Sequence, residues 1–306
     1  MSSIINKYRT ALNSSPLALA IKRIFPRWTA SRLYKYYFGR KINWQNPTEF
    51  NEKIRWIQFN TDTSRWTLLA DKFLVRKYLE DRGYGNMLVK LYGVWENAEE
   101  IDFDQLPESF VLKTNHGSGG VYVVKDKSKV NLNQIKKDLN HSLSETFGVQ
   151  TAEPHYFPIK PLIIAEEVLT QDGNVSKDLI DYKFFCINGN PQFCAVMYNR
   201  DIDHHTYDVR LYDIDWNDIS HLLGKYKHTK VGSMDIPVPK TFEQMKKFCL
   251  DVCKDFPFVR MDFYETNGKL YFGEFTFTPA ACTGAPLGII PCNILSEKLI
   301  LPEKTK

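Results

Sequence analysis

Two acidic residues either side of one turn are the first place where this chain reads as chemistry. Arg260-Met261-Asp262 and Glu274 flank Asn267-Gly268, a dipeptide suited to a two-residue hairpin turn. A hairpin centred there pairs residues whose numbers sum to about 535, which sets Asp262 opposite residues 272–274. Alternation along a strand puts Arg260 and Asp262 on one face, and Glu274 and Thr276 on one face of the partner. Two hard oxygen ligands a few ångströms apart suit Mg²⁺ bound to phosphate. Arg260 beside them suits a developing negative charge. The plain alternative is a solvated outer face, where Asp and Glu are common.

A second group lies upstream. Phe110-Val111-Leu112-Lys113 leads into Asn115-His116-Gly117-Ser118-Gly119-Gly120, and Val121-Tyr122-Val123-Val124 follows. Small residues leave backbone N–H groups free to wrap phosphate oxygens. The loop lacks the Gly-Lys-Ser/Thr of a P-loop and leads into a strand, so it is neither a P-loop nor a dinucleotide-binding turn. With Lys113 at the end of its first strand it reads as a hinged lid closing on nucleotide phosphates; a plain flexible hairpin is the alternative. A third stretch holds Arg200, His204, Arg210, Tyr212 and Trp216. The cations suit an anionic acceptor such as a uronic acid, and Tyr212 or Trp216 a sugar face, against a surface loop with local salt bridges. No Ser/His/Asp or Cys/His arrangement stands out. The six cysteines show neither a C-x-x-C pair nor a histidine at zinc spacing, and read as buried thiols.

Periodicity supplies the elements that must hold these groups. Asn46-Pro47-Thr48-Glu49 predicts a helix start, and Phe50, Ile54 and Ile57 its apolar face. A second helix is predicted over 69–82, with Leu69, Phe73, Leu74 and Tyr78 inward and Gly83 as its stop. Strands are predicted either side of the glycine loop and over 161–165, and helices over 131–147 and 241–255. Two hairpins follow, one over 182–198 turning at Asn188-Gly189 and one over 259–277 turning at Asn267-Gly268. The class is α+β with mostly antiparallel sheets.

Of the 306 residues, 40 are basic and 36 acidic, a net +4 that is unevenly spread. Residues 1–48 hold nine Lys or Arg and no Asp or Glu. The apolar run over 16–20 is too short for a signal core, and no stretch approaches the roughly 20 apolar residues of a membrane span. The expected location is the cytoplasm, with residues 1–41 touching the anionic inner leaflet as one reading and a plain solvated segment as the other. No nucleic-acid partner is expected.

Taken together, Asp71-Lys72, the Val-Leu-Lys113 strand with its HGSGG loop, IIAEEVL over 163–169, Arg260-x-Asp262 and Glu274-x-Thr276 resemble the ATP-grasp superfamily. NPTEFNEKIRW, ADKFLVRKYL, LPESFVLKTNHGSGG, DYKFFCINGNPQF, FPFVRMDFY and GKLYFGEFTF are similar to its TupA-like family, associated with bacterial surface polysaccharide and teichuronopeptide synthesis. The likeness covers about residues 40–280. It implies that Lys72 and Lys113 hold ATP phosphates beneath a lid of Gly117, Ser118, Gly119 and Gly120, with His116 at its root. It implies a hinge of Glu166, Glu167, Val168 and Leu169 reading adenine and ribose, and Lys183 pointing toward the nucleotide. Asp262 and Glu274 would ligate Mg²⁺ with Arg260 facing an acyl phosphate. Many relatives have Asn where Thr276 stands, which leaves one or two metals open.

The resemblance implies an ATP-grasp fold: a nucleotide cleft between two antiparallel-sheet lobes, with an N-terminal helical region. Its expected divisions are a basic segment over 1–45, a helical subdomain over 46–110 contributing Lys72, a lid lobe over 111–169 and a catalytic lobe over 170–306. The expected activity is an ATP- and Mg²⁺-dependent ligase joining an amine to a carboxylate, the carboxylate carried by a small-molecule or saccharide acid. A glycosyltransferase using a nucleotide sugar and an ATP-grasp phosphotransferase are the alternatives.

Overall fold

Side chains alternate across two sheets, and in each the apolar set makes a core while the other set looks toward a shared cleft. The computed structural model describes residues 15–171, 176, 178–201, 206–225 and 229–306. The smaller sheet has strand order β1-β4-β2-β3, from β1 (Leu91–Trp95), β2 (Phe110–Thr114), β3 (Tyr122–Val124) and β4 (Ile163–Glu166). Phe110, Leu112, Val124, Ile163 and Ala165 pack with Ile135 and Leu139 of helix α6 (Leu132–Ser144). The alternate residues Val111, Lys113, Val123 and Glu166 line the cleft.

The larger sheet runs β10-β9-β5-β6-β7-β8, from β5 (Asp181–Ile187), β6 (Asn190–Asp201), β7 (Thr206–Asp213), β8 (Thr229–Val231), β9 (Phe258–Thr266) and β10 (Lys269–Thr276). Among the described residues only β7 and β8 pair in parallel, so the expectation of mostly antiparallel sheets holds. Both Asn-Gly dipeptides form the turns expected of them, with positive φ at Asn188, Gly189, Asn267 and Gly268. The main core fills behind this sheet against α7 (Phe242–Val252), where Cys186, Cys194, Cys249 and Cys253 are buried thiols.

Helices α1 (Pro16–Ile24), α2 (Pro26–Phe38), α3 (Phe50–Asn60), α4 (Ser64–Ala70) and α5 (Leu74–Asp81) precede the smaller sheet, and α8 (Cys292–Ser296) closes against α3 through the bond from Phe50 N to Ser296 Oγ (2.7 Å). Two expectations change here. Residues 46–49 precede α3 rather than opening it, because Glu49 and Glu52 form a reciprocal capping box around Phe50. The helix expected over 69–82 is two. The Asp71 carboxylate accepts from the backbone N–H groups of Phe73 (2.8 Å) and Leu74 (3.1 Å) and starts a new helix, while Lys72 N donates to Asn115 O (3.1 Å). Leu74 is thereby turned outward, and Val75 and Leu79 take the inner face.

Arg55 is buried at the centre of this helical region, donating to Thr151 O, Ala152 O and Ala281 O at 2.5–2.7 Å. Beside it His155 packs among Trp66, Tyr156 and Phe277 with neither ring nitrogen hydrogen-bonded to the described residues. Burial, with the Arg55 charge nearby, holds its pKa down from 6.5 to about 3. Between those values the unfolded chain binds a proton that the folded chain refuses. The stability this neutral imidazole contributes is therefore present above pH 6.5 and lost as pH falls toward 3, by about 1.4 kcal/mol per pH unit. His155→Phe is expected to flatten that slope, as urea melts at neutral and mildly acidic pH will read.

Candidate active site

One row of side chains across the larger sheet forms the floor of the cleft. Glu274 on β10 lies opposite Asp262 on β9, and Asp262 opposite Lys183 on β5. Residues opposite one another share a face, so three strands present Glu274, Asp262 and Lys183 side by side. The row depends on an extra residue. Pairing starts at Lys269 with Thr266 and continues to Phe272 with Phe263, then slips by one so that Glu274 meets Asp262. Gly273 is the inserted residue; a Cβ there would lie 2.9 Å from Asp262 O. Without the slip Glu274 would fall opposite Met261, on the core face.

Asp262 is the charge centre. Arg260 donates from Nε to its Oδ1 and from Nη2 to its Oδ2, both at 2.7 Å, and Lys183 Nζ lies 2.5 Å from Oδ2. Burial acts to raise its pKa, but Arg260 and Lys183 together hold it below the usual carboxylate range. Arg260 Nη2 also donates to Glu274 Oε1 (3.0 Å), and the Thr276 hydroxyl reaches the same oxygen at 3.4 Å. Burial pushes the Lys183 ammonium down. Asp181, two residues before it on the same face, forms ion pairs with Lys183 (3.3 Å) and with Arg200.

The roof comes from the smaller sheet and the helices. Glu166 is clamped by Lys113 Nζ (2.5 Å) and Arg76 Nη1 (3.2 Å). Asn115 fastens the root of the glycine loop, donating to Asp71 Oδ1 (2.9 Å) and Lys160 O (3.0 Å) and accepting from Leu162 N (2.7 Å). This weld sets Lys72 beside the loop, where Nζ donates to Gly117 O. Burial holds its pKa down against the pull of Glu274. A cavity of about 570 Å³ joins the two sheets, lined by Lys72, Arg76, Lys113, Gly117, Ser118, Gly119, Glu166, Glu167, Val168, Leu169, Asp181, Lys183, Arg200, Asp262 and Glu274 among others. Lysines and carboxylates far apart in sequence thus face one space.

Other residues singled out from the sequence lie elsewhere. Arg210 is absent from the cleft wall: it sits on β7, donating to Gly232 O (3.0 Å) and pairing with Asp218. Tyr212 and Trp216 are core rather than a sugar platform, stacked 4.5 Å apart at 7°, with Trp216 Nε1 donating to Ile236 O. His116 is buried behind the loop against Glu145 O (3.3 Å), and burial lowers its pKa. Gly120 is outside the lining, and the Glu167 N–H is taken by Lys90 O (3.0 Å). His204 lies outside the described residues. Arg76, Asn115 and Asp181 were missed from sequence. Arg76 sits three residues from Phe73, an ordinary helical position, whereas Asp181 stands two residues before Lys183 on a strand already marked, a spacing that was available to read.

The donor set fits a divalent cation. Each carboxylate oxygen can accept twice; Asp262 Oδ1 has one acceptance used, and Glu274 Oε2 has none among the described residues. No three of His, Cys, Asp and Glu cluster among the described residues. Two carboxylates, completed by phosphate oxygens and water, match how Mg²⁺ is ordinarily held.

Two sheets gripping a cleft with lysines above and a carboxylate pair below define an ATP-grasp arrangement. The TupA-like ATPgrasp family matches residues 52–285, and the chain belongs to that family. Among curated proteins none matches the chain. Similar solved structures include D-alanine–D-alanine ligase from Bacillus anthracis complexed with ATP, with 15% identity, TM-score 0.43 and coverage of 72% of this chain and 58% of that one. The ATP-grasp ligase PsnB complexed with minimal precursor has 12% identity, TM-score 0.43 and coverage of 81% and 66%. Phosphoribosylamine–glycine ligase from Thermotoga maritima has 15% identity, TM-score 0.39 and coverage of 72% and 52%. This chain spans less than two thirds of the length of each.

Proposed function

We propose that the protein is an ATP- and Mg²⁺-dependent carboxylate–amine ligase. The observation that carries the reading is the single cleft into which Lys72 and Lys113 converge with Asp262 and Glu274. Lys72 and Lys113 would hold the phosphates, beneath Gly117, Ser118 and Gly119. Glu166, Glu167, Val168 and Leu169, where β4 leaves the smaller sheet, would take the adenosine. Asp262 and Glu274, with Thr276 behind Glu274, would hold Mg²⁺, which supplies charge neutralisation to the phosphates. A substrate carboxylate oxygen attacks the γ-phosphorus and ADP departs. The amine nitrogen then attacks the acyl carbon, phosphate leaves, and the nitrogen loses its proton. Lys183, in the lining, would stabilise the charge that collects on the transferring group, while Arg260, buried outside the lining and bonded to both Asp262 and Glu274, would fix the carboxylate pair.

Arg200 in the cleft wall supports an anionic acceptor, and with the family's association this favours a saccharide acid of the uronic type joined to an amine such as an amino acid, in bacterial surface polysaccharide synthesis. Arg210 and Trp216 lie outside the cleft lining and take no part. The enzyme would work in the cytoplasm, with residues 1–41 toward the anionic inner leaflet.

Among the described residues, five cationic side chains (Lys72, Arg76, Lys113, Lys183 and Arg200) and five anionic ones (Glu166, Glu167, Asp181, Asp262 and Glu274) line the cleft. A tetra-anion meets no net positive wall there, so chelating Mg²⁺ is expected to weaken ATP binding by roughly tenfold or more, read by calorimetry. Purified protein with Mg-ATP and panels of acids and amines is expected to release ADP only when both partners are present. Phosphate retained on an acceptor without an amine would mark a phosphotransferase. Thermal stabilisation by nucleotide sugars but not by ATP would mark a glycosyltransferase.

A further inference from the structure

We infer that α1 is an in-plane anchor that seats the protein on an anionic lipid surface. The helix begins at Pro16, capped by the Ser15 side chain. Leu17, Ala20, Ile21 and Ile24 recur at the spacing of one helical face, and all four are exposed, Leu17 at 73% and Ile24 at 68%. Phe25 and Trp28 (50% exposed) extend the patch past the break between α1 and α2. The opposite side of α1 is tied to the body, where Lys22 donates to Gln150 and Arg23 Nη2 to Phe157 O (3.3 Å). The apolar face is therefore held outward, with nothing among the described residues over it.

The charges around it say what covers it. Among the described residues no carboxylate forms an ion pair with Arg27, Arg32, Lys35 or Lys41, while Arg40 is spent on Glu49 and Glu52. Arg32 lies over Trp28, 4.8 Å from the ring centroid, so cation and indole share one rim. An aliphatic stripe edged by unpaired cations and a tryptophan is the composition of a helix lying in the headgroup layer. Acidic headgroups answer both parts at once, with acyl chains for Leu17, Ile21 and Ile24 and phosphate oxygens for the guanidinium groups. A nucleic acid would leave the aliphatic stripe without a partner. Which leaflet is met rests on the functional reading above; docking itself needs no ligase chemistry.

The test is sedimentation of the full chain, without nucleotide, with vesicles of phosphatidylcholine containing one third phosphatidylglycerol and with vesicles of phosphatidylcholine alone. The protein is expected to pellet with the first and stay in solution with the second. Raising salt from about 0.1 to about 0.5 M is expected to lower binding by roughly tenfold or more. Leu17→Glu/Ile24→Glu is expected to abolish binding with an unchanged melting temperature, because both side chains are already exposed. Arg27→Gln/Arg32→Gln is a second variant that spares the apolar stripe, and is expected to weaken binding to the anionic vesicles. Equal binding to neutral vesicles overturns the inference, as does full binding by the Glu variant. So does a concentration-dependent dimer, seen by light scattering, that the Glu variant dissolves. Since no ATP enters, these results stand apart from any failure of the ADP-release assay.

Discussion

Asp262→Asn is expected to cut ADP release by roughly 10²–10³-fold and to destabilise the fold, whereas Glu274→Gln is expected to lose comparable turnover with little change in stability. The difference follows from what each carboxylate holds. Asp262 is buried and takes both nitrogens of the Arg260 fork and the Lys183 ammonium. An amide there leaves two buried cations facing a group that no longer neutralises them, and breaking such a pair costs about 3–5 kcal/mol. The Glu274 side chain is 41% exposed and receives Arg260 at a single oxygen, so a neutral amide there strands nothing. Turnover and urea melts on both proteins separate a metal-holding role from a structural one. If Glu274→Gln turns over within about threefold of the parent, the carboxylate pair does not hold the metal and the mechanism is wrong. Should Asp262→Asn keep full stability, the charge network described around it is not formed.

The acidic pair could be read from sequence because a hairpin with a known centre turns residue numbers into neighbours. Asn267-Gly268 located the turn, alternation gave the face, and Asp262 came out opposite residues 272–274. Strand arithmetic could go no further, because period-two counting has no means of seeing an inserted residue, and Gly273 decides which neighbour is met. The cleft's upper wall was legible in part. Lys113 follows from the strand before the glycine loop, but Lys72 came only with the family resemblance. What sets it in place, Asn115 bonded to Asp71 and Lys160, is a long-range contact with no local pattern. The broken helix at residues 71–73 has the same cause: helix periodicity continued through Asp71, but its carboxylate makes a cap that ends one helix and starts another. Arg210 and Trp216 show the opposite error. Cations and aromatics close in sequence suggested a binding face, and alternation on β7 together with the stack on Tyr212 turned them to structural use.

Gly273→Ala is expected to approach the loss seen for Glu274→Gln although it alters no charged group. The added Cβ would stand 2.9 Å from Asp262 O and 3.2 Å from the Tyr264 ring, closer than real side chains come to a backbone oxygen. Two relaxations are open. Strand β10 can pull away from β9 at that point, which loosens Glu274 from Arg260 and widens the carboxylate pair. Alternatively the strand can abandon the slip and pair evenly, but then Glu274 lies opposite Met261, buried in the core, and an ionised carboxylate would enter an apolar layer at high cost. The first is the cheaper course, with overpacking strain of about 1–3 kcal/mol. Its signature differs from that of an ordinary core defect. The Mg²⁺ concentration giving half-maximal turnover should rise by roughly tenfold or more, while binding of ADP in the absence of metal should hold, since Lys72, Lys113 and the hinge residues are untouched. A Gly273→Ala protein with lower stability but an unchanged Mg²⁺ requirement would show that the slip serves packing alone, and that the distance between Asp262 and Glu274 is set elsewhere.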